Sequence, residues 1–160
     1  MKKDQDQRKF KSDTRNLIDV TLLGICITFF GLVATIRPEL LQNKIFTIQL
    51  VLTIPLFMCG LLSRIKEASY VDSQRWANLV FVSTVIGYGF FTNIIGLALS
   101  FITPIGIALT FFVTSIGLNW VRAGVVISYD KTQTKRRLIR EIAQVAIIVF
   151  LGILPAIRFY

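Results

Sequence analysis

The sequence predicts an all-α polytopic integral membrane protein whose five transmembrane helices form one compact bundle. Hydrophobic residues make up 54% of the 160 residues, and the mean hydropathy is +0.65. Uncharged apolar runs divide the chain, and the longest, from Trp76 to Val121, contains 46 residues without Asp, Glu, Lys or Arg. As a helix this run would rise roughly 69 Å. That length is about twice the hydrocarbon thickness of a bilayer, so the run must cross twice.

The N-terminal end is predicted to be a basic polar tail over residues 1–16, followed by a single transmembrane domain over residues 17–160. Helix 1 covers about residues 17–36 and ends at Arg37-Pro38. Its apolar segment is too long for a signal peptide and lacks a small-x-small cleavage pattern. We therefore expect helix 1 to be a retained anchor.

The next three helices follow from the remaining apolar runs. Helix 2 covers about residues 45–63, and Pro55 near its middle should kink it. Helix 3 covers about residues 76–99 and helix 4 about residues 104–126, with residues 100–103 as the turn between them. Pro104 suits the first position of a helix, where its missing N–H costs nothing, and Thr103 could cap that helix.

Helix 5 is predicted over about residues 142–157, where the uncharged core is short. The long side chains of Arg140 and Arg158 could reach the membrane surfaces from its ends and so extend its span. Charge alone leaves four crossings open. The length of the segment and the terminal Phe159-Tyr160 pair favour five.

Basic residues in short loops mark the cytoplasmic side of a membrane protein. With the N-terminus inside, fifteen of the 18 Lys and Arg lie in inner segments, and only Arg37, Lys44 and Arg158 lie outside. This bias predicts the N-terminus inside and the C-terminus outside, in a plasma or inner membrane. Trp76 and Trp120 fall at the inner surface and are predicted to form an interfacial aromatic belt.

Glycines spaced seven residues apart are the clearest internal pattern. Such pairs lie on nearly one helix face, and small faces let helices approach closely in lipid. We therefore expect helices 1, 3 and 4 to form the tight centre of the bundle, although Thr, Asn and Gly also line narrow pores. The predicted packing residues are Gly24, Gly31, Gly89, Gly96, Gly117 and Gly124.

Asp19 is the only acidic residue within a predicted span. Acids inside a membrane are often functional. Asp19, however, lies near the start of helix 1, where the helix dipole favours an acid, and Arg15 or Arg122 could pair with it. The interpretation as a structural ion pair is favoured over a proton or ion site.

Uncharged polar residues also reach the middle of the predicted membrane. Thr84, Tyr88 and Thr92 recur every fourth residue and give helix 3 a polar strip. Such residues can bind a substrate, but more often they form hydrogen bonds with a neighbouring helix or their own backbone. The candidate intramembrane polar site comprises Asp19, Thr84, Tyr88, Thr92, Asn93 and Thr110.

The net charge of +9 raises the question of nucleic acid, but most of the charges flank apolar runs, where orientation signals belong. We therefore expect no nucleic-acid partner. The densest basic segment is predicted to contact anionic lipid headgroups on the inner face. Its candidate residues are Lys131, Lys135, Arg136, Arg137 and Arg140.

No enzyme signature is present in the sequence. The chain has no histidine, no cysteine cluster and no glycine-rich phosphate loop. We predict no catalytic residues, no metal site and no cofactor, and hence a protein that is not an enzyme. The predicted function is a structural or accessory subunit acting through helix packing, as a homo-oligomer or with another membrane protein. The alternative is a small channel or transporter with a pathway beside helices 3 and 4.

Overall fold

In this computed structural model the described parts of the chain, residues 2–69, 74–129 and 134–158, are helical apart from short connections. A 3₁₀ turn, Pro38–Gln42, precedes α2, and a π-helical segment, Val149–Ile153, joins α5 to α6. The α-helices are α1 Lys2–Ile36, α2 Lys44–Ser69, α3 Gln74–Ile102, α4 Ile105–Tyr129, α5 Thr134–Ile148 and α6 Leu154–Arg158.

Within the described residues, five helical stretches are long and apolar enough to span a membrane, as the sequence predicted. The fifth runs through α5, the π-helical segment and α6 without a break. Their bounds are Asn16–Ile36, Lys44–Lys66, Gln74–Ile102, Ile105–Ser128 and Arg137–Arg158.

The first helix differs from its predicted bounds because α1 begins at Lys2 rather than near Leu17. The preceding segment contains Lys, Gln and Arg, which favour helix, and has no Gly or Pro to interrupt it. Charge therefore ends the apolar part of α1 without ending the helix. The helix α2 likewise continues through charged residues after its apolar part and ends at Ser69, beyond the predicted end at residue 63.

The turn between α3 and α4 is shorter than predicted. The helix α3 continues to Ile102, and the Thr103 backbone N–H donates to the carbonyl of Leu99 at 2.8 Å. The Thr103 hydroxyl donates to the same carbonyl at 2.7 Å. The prediction that Thr103 caps α4 is thus wrong, because this residue completes the last turn of α3.

The helix α2 begins one residue earlier than predicted because Asn43 caps it. The Asn43 side-chain oxygen accepts hydrogen bonds from the backbone N–H groups of Ile45 and Phe46, each at 3.1 Å. These bonds satisfy donors that the first turn of a helix leaves open. Just before the cap, an exposed ion pair joins Arg37 to Glu39 at 3.0 Å.

The buried core is centred on α3. The helix α2 lies along α3. The helices α4 and α5 pack on other parts of α3, whereas α1 packs mainly on α2. The prediction that helices 1, 3 and 4 form the centre of the bundle is therefore wrong for helix 1, because α2 rather than α1 packs along α3. The largest fully buried apolar side chains are Phe46, Leu50, Ile94, Leu97, Phe112 and Ile148.

Large apolar side chains also cover the outer surface of the bundle. Val113, Leu118 and Val121 of α4 are each 65% exposed, and all five candidate spans carry exposed Leu, Ile, Val or Phe. Such a surface would be unfavourable in water but matches the apolar interior of a bilayer. The fold is thus compatible with a multi-pass membrane protein.

Candidate functional site

Polar side chains, most of them buried or half-buried, form two groups among the helices. We call the first group the amide junction, and it consists of Gln49, Asn93 and the backbone carbonyls of Ile147 and Leu151. We call the second group the charge cluster, and it consists of Asp19, Arg64, Tyr88, Arg122, Arg140 and Glu141.

The amide junction links four elements by side-chain hydrogen bonds. The Nδ2 of Asn93 in α3 donates to Oε1 of Gln49 in α2 at 2.7 Å and to the Ile147 carbonyl in α5 at 3.2 Å. The Nε2 of Gln49 donates to the Leu151 carbonyl in the π-helical segment at 2.8 Å. Both side chains are buried. A buried amide without such partners would be strongly destabilising.

Pro155 explains why the backbone of this last span accepts side-chain hydrogen bonds. In an α-helix the Leu151 carbonyl would accept from the N–H four residues later, and that residue is Pro155, which has no N–H. Gln49 supplies the missing donor. The π-helical segment lies at the same place, as π-bulges commonly do where a helix departs from regular bonding.

Gly152 allows the close approach of α3 and α4 to this segment. A Cβ at Gly152 would clash with Oδ1 of Asn93 and lie 2.8 Å from Cε1 of Phe112. Among the described residues, Oδ1 of Asn93 has no hydrogen-bond donor. The missing side chain of Gly152 thus makes room for the Asn93 amide, whose NH₂ group provides both of its hydrogen bonds.

The charge cluster begins with an ion pair between α1 and α2. Nη1 of Arg64 lies 2.9 Å from Oδ2 of Asp19, and their side chains are only 14% and 3% exposed. The sequence suggested Arg15 or Arg122 as the partner of Asp19. The structure brings Arg64 to Asp19, because the end of α2 lies beside the start of the apolar part of α1. The side chain of Arg15 is outside the described residues.

A second ion pair lies at the start of the last span. Nη2 and Nε of Arg140 approach the same Glu141 oxygen, Oε1, at 2.6 and 3.0 Å. Glu141 is buried, whereas Arg140 remains 29% exposed. The carboxylate is thus taken out of solvent together with a neighbouring guanidinium, as a buried charge requires.

Tyr88 is half-buried in the middle of α3. The charges of Asp19, Arg64, Arg122 and Arg140, one from each of the other four spans, act on its hydroxyl. The Tyr88 ring packs edge-on against Phe57 with ring centroids 5.4 Å apart. Because helical side chains lean toward the helix N-terminus, Tyr88 points toward the end of the bundle where α3 begins.

The predicted polar site is divided in the structure. Asp19 and Tyr88 belong to the charge cluster, and Asn93 belongs to the amide junction. The Thr92 hydroxyl donates to the Tyr88 carbonyl at 3.0 Å, so it closes on its own helix. Thr84 lies close to Gly60 of α2. Thr110 is exposed on α4, and its hydroxyl donates to the Gly106 carbonyl at 2.8 Å, apart from the others.

Gln49, Arg64 and Glu141 are site residues that the sequence prediction missed. A glutamine in the middle of an apolar run was the available signal for Gln49. Arg64 and Glu141 stand at the edges of uncharged runs, where charged residues normally only mark the end of a span.

The six predicted packing glycines fall into two sets. A Cβ at Gly89 would lie 2.7 Å from Cγ2 of Ile147, and a Cβ at Gly96 would clash with the Phe112 ring, so both glycines permit close helix contacts. In contrast, Gly24, Gly31, Gly117 and Gly124 have no atom within 4 Å of an added Cβ in the described chain. These four lie on outward faces of α1 and α4.

The described headgroup residues and the aromatic belt lie near the same end of the bundle as the charge cluster. Lys135 is exposed, Arg137 is half-buried and Arg140 is paired with Glu141. Lys131 lies outside the described residues, as does the side chain of Arg136. Trp76 is half-buried near the start of α3. Trp120 is exposed on α4.

Comparisons with protein-family models, with curated proteins and with solved structures give no match to this chain.

Proposed function

We propose that this chain is a multi-pass membrane protein, with its N-terminus inside and its C-terminus outside, that acts as a structural or accessory subunit by helix packing. The five apolar spans support the membrane location, and the distribution of basic residues supports the orientation. The proposed role is non-enzymatic. The single observation that carries the role in assembly is the open small face of α4, which Gly106, Thr110, Gly117 and Gly124 form.

The chain uses its glycines in two different ways. Inside the bundle, Gly89 and Gly96 are closed off by side chains of α5 and α4. On the open small face of α4, nothing approaches within 4 Å of a Cβ added at Gly106, Gly117 or Gly124. Only 11% of the most apolar stretch of α4 is buried inside the bundle, against 44% of the corresponding stretch of α3. The helix therefore has a surface shaped for close contact that its own chain leaves open.

The occupant that fits this face is the same face of a second copy. A two-fold contact places identical surfaces against each other, so both helices must allow a close approach. The open face of α4 meets this condition, because its glycines have open space around them. The Thr110 hydroxyl already donates to the Gly106 carbonyl, so a second helix would not bury an unpaired donor there. Close packing of small residues is a main source of helix association in lipid.

The test is the substitution Gly117→Leu, followed by measurement of the mass of the detergent-extracted particle under native conditions. Leucine would hold the two backbones apart, and we expect dimerisation to weaken by about tenfold or more, which corresponds to about 1.4 kcal/mol. The fold should persist because Gly117 has open space around it. Val125→Phe, an enlargement on another exposed part of α4, is the matched control and should leave the dimer intact.

Three outcomes would contradict the contact between copies. The unmodified protein could be a monomer, Gly117→Leu could dimerise as well as the unmodified chain, or a different protein could co-purify at fixed stoichiometry. The last outcome would retain an accessory role but replace the second copy with another partner.

At the inner surface we propose contact with anionic lipid headgroups. Supporting this contact, Lys135 is exposed and Arg137 is half-buried at the same end of the bundle as Trp76 and Trp120. A basic side chain near an anionic membrane surface contributes about 1 kcal/mol to binding. This contact would orient the subunit rather than define its activity.

A second candidate function is a small transporter or channel, and the buried Asp19–Arg64 ion pair favours it. Ionisable groups inside a membrane protein commonly mark solute or proton paths. If the chain transports, protein in liposomes should produce a flux that Asp19→Asn lowers, while Thr110→Val, on an exposed position of α4, leaves it unchanged. Absence of flux for common ions and protons would count against this candidate.

A further inference from the structure

We propose that α1 is an interface for the α1 of a second copy, in which the two helices lie parallel and in register. The proposal rests on the membrane location given under the proposed function. It goes beyond the contact through α4, because it uses a different helix. The interface is a line of exposed residues that we call the outer seam of α1. Its members are Leu17, Thr21, Gly24, Thr28, Gly31 and Thr35.

The outer seam has the spacing by which two helices pack along their length. From residue 17 to residue 35 its members alternate steps of four and three residues, which is the heptad pattern of positions d and a. All of them are exposed. A helix face with this period stays against a partner helix over many turns, as in the left-handed pairs common in membranes. The seam covers about five turns of α1.

The opposite side of α1 faces its own chain. Asp19, Cys26 and Val33 are buried and also recur every seven residues. They occupy position f of the heptad, which lies across the helix from positions a and d. The helix α1 packs mainly on α2. The outer seam therefore points away from the bundle, and a second helix can lie on it without disturbing the contact with α2.

The outer seam permits a close approach without burying an open polar group. A Cβ added at Gly24 or Gly31 would have no atom within 4 Å. Each threonine hydroxyl of the seam donates to the carbonyl four residues earlier, at 2.8–2.9 Å. Small residues let helix backbones come together in lipid, and these hydroxyls need no donor or acceptor from a partner.

The occupant that matches the outer seam is the same seam of a second copy. Copies in one membrane share one orientation, so their α1 helices run parallel, and a two-fold contact then sets each heptad position against itself. The helix α1 continues without a break to Lys2. In this extension Phe10 and Thr14 take the next d and a positions by sequence. The heptad pattern of the seam thus continues beyond the apolar span.

Charge complementarity in the extension favours a parallel pair in register. In such a pair a residue at position g faces the e residue of the partner five positions later. By sequence Asp6 is a g residue and Lys11 is an e residue, five positions later. Two copies in register therefore set the Asp6 position of each opposite the Lys11 position of the other. A shifted or antiparallel pair would lose this match.

Disulfide crosslinking of the full chain in the membranes where it is expressed tests the outer seam. In a chain whose Cys26 and Cys59 are replaced by alanine, Thr28→Cys should form a covalent dimer on oxidation, because position a of one helix meets position a of the other. Phe30→Cys is the matched control, since residue 30 is also exposed and lies at a similar depth. It should give about tenfold less dimer, because position c does not face the partner in a heptad pair.

Two further changes test the same contact without altering the labelled site. Gly31→Leu should lower the yield of the dimer crosslinked at residue 28 about tenfold, because leucine holds the two backbones apart. Asp6→Lys and Lys11→Asp should each lower this yield about threefold, as expected for one exposed ion pair. The double reversal should restore the yield, which a general loss of folding would not do.

Equal crosslinking at residues 28 and 30 would overturn the proposal, and so would single reversals that the double reversal does not rescue. Repeating the experiment in Gly117→Leu separates the two interfaces. Crosslinking at residue 28 that persists there supports the contact through α1, even if the contact through α4 fails its own test. Crosslinking that disappears there would overturn an independent α1 interface. A chain absent from the membrane fraction would contradict the proposed membrane role as well.

Discussion

At the scale of single residues, the bundle is held by a few polar contacts inside an apolar molecule. Asn93 and Gln49 bond to each other and to two backbone carbonyls of the last span, and Asp19 pairs with Arg64. Each contact joins different helices, unlike the hydroxyls of Thr92 and Thr110, which donate to carbonyls of their own helices. These polar pairs therefore specify which helices are neighbours, which apolar packing alone determines less strictly.

The amide junction gives a residue-scale prediction about stability. Asn93→Leu and Gln49→Leu should each lower the free energy of unfolding by about 1–3 kcal/mol, because each leaves a buried partner without its hydrogen bond. The double variant should lose less stability than the sum of the two single losses. Both single variants remove the same Asn93–Gln49 hydrogen bond, at 2.7 Å, so it is counted twice in that sum.

Unfolding in mixed micelles with increasing dodecyl sulfate would measure these three changes. Thr110→Val is the control, because its hydroxyl bonds only within an exposed turn of α4, and it should change the free energy of unfolding by less than about 0.5 kcal/mol. Strictly additive losses would show that Asn93 and Gln49 act independently.

At the scale of elements, the last span depends most on its surroundings. Its regular hydrogen bonding is altered at the π-helical segment Val149–Ile153 and again at Pro155. The sequence prediction treated both as parts of one uninterrupted helix. Apolar periodicity could place this span in the chain but could not show which side chain completes its backbone. That information depends on the neighbour in space, Gln49.

Gly152 and Gly24 give a matched pair of substitutions at this scale. Gly152→Ala should destabilise the protein by about 1–3 kcal/mol, because the added Cβ meets Asn93 and Phe112 and the core must shift. Gly24→Ala meets no atom within 4 Å and should be neutral or stabilise α1 by up to about 1 kcal/mol. Thermal unfolding in one detergent would compare the two variants, and equal effects would contradict the close approach at Gly152.

At the scale of the whole molecule, the number and length of the spans were predictable while their arrangement was not. Uncharged length and helical rise determine how many crossings a chain can make. Hydropathy records the depth of a residue but not its direction around the helix axis, so the position of α2 beside α3 could not be derived. Arg64 shows the difference, since its charge suggested a loop whereas the structure keeps it in α2, facing Asp19.

The orientation of the whole chain can be tested by labelling. Phe159→Cys, in a chain whose Cys26 and Cys59 are replaced by alanine, should react with a membrane-impermeant thiol reagent added outside intact cells, because five crossings place the C-terminus outside. A cysteine at Lys3 should react only after the cells are permeabilised. Protection of the first site in intact cells would favour four crossings or the opposite orientation.

The hydrogen bond from Gln49 to the Leu151 carbonyl also bears on the order in which the molecule is made. The two residues are 102 positions apart, so the donor leaves the ribosome long before the acceptor. Until the last span reaches α2, the Leu151 carbonyl would face lipid without its α-helical donor, at a cost of several kcal/mol. If the chain is inserted into a membrane as proposed, release of the final span from the insertion machinery should therefore be most favourable once the earlier helices are assembled to receive it.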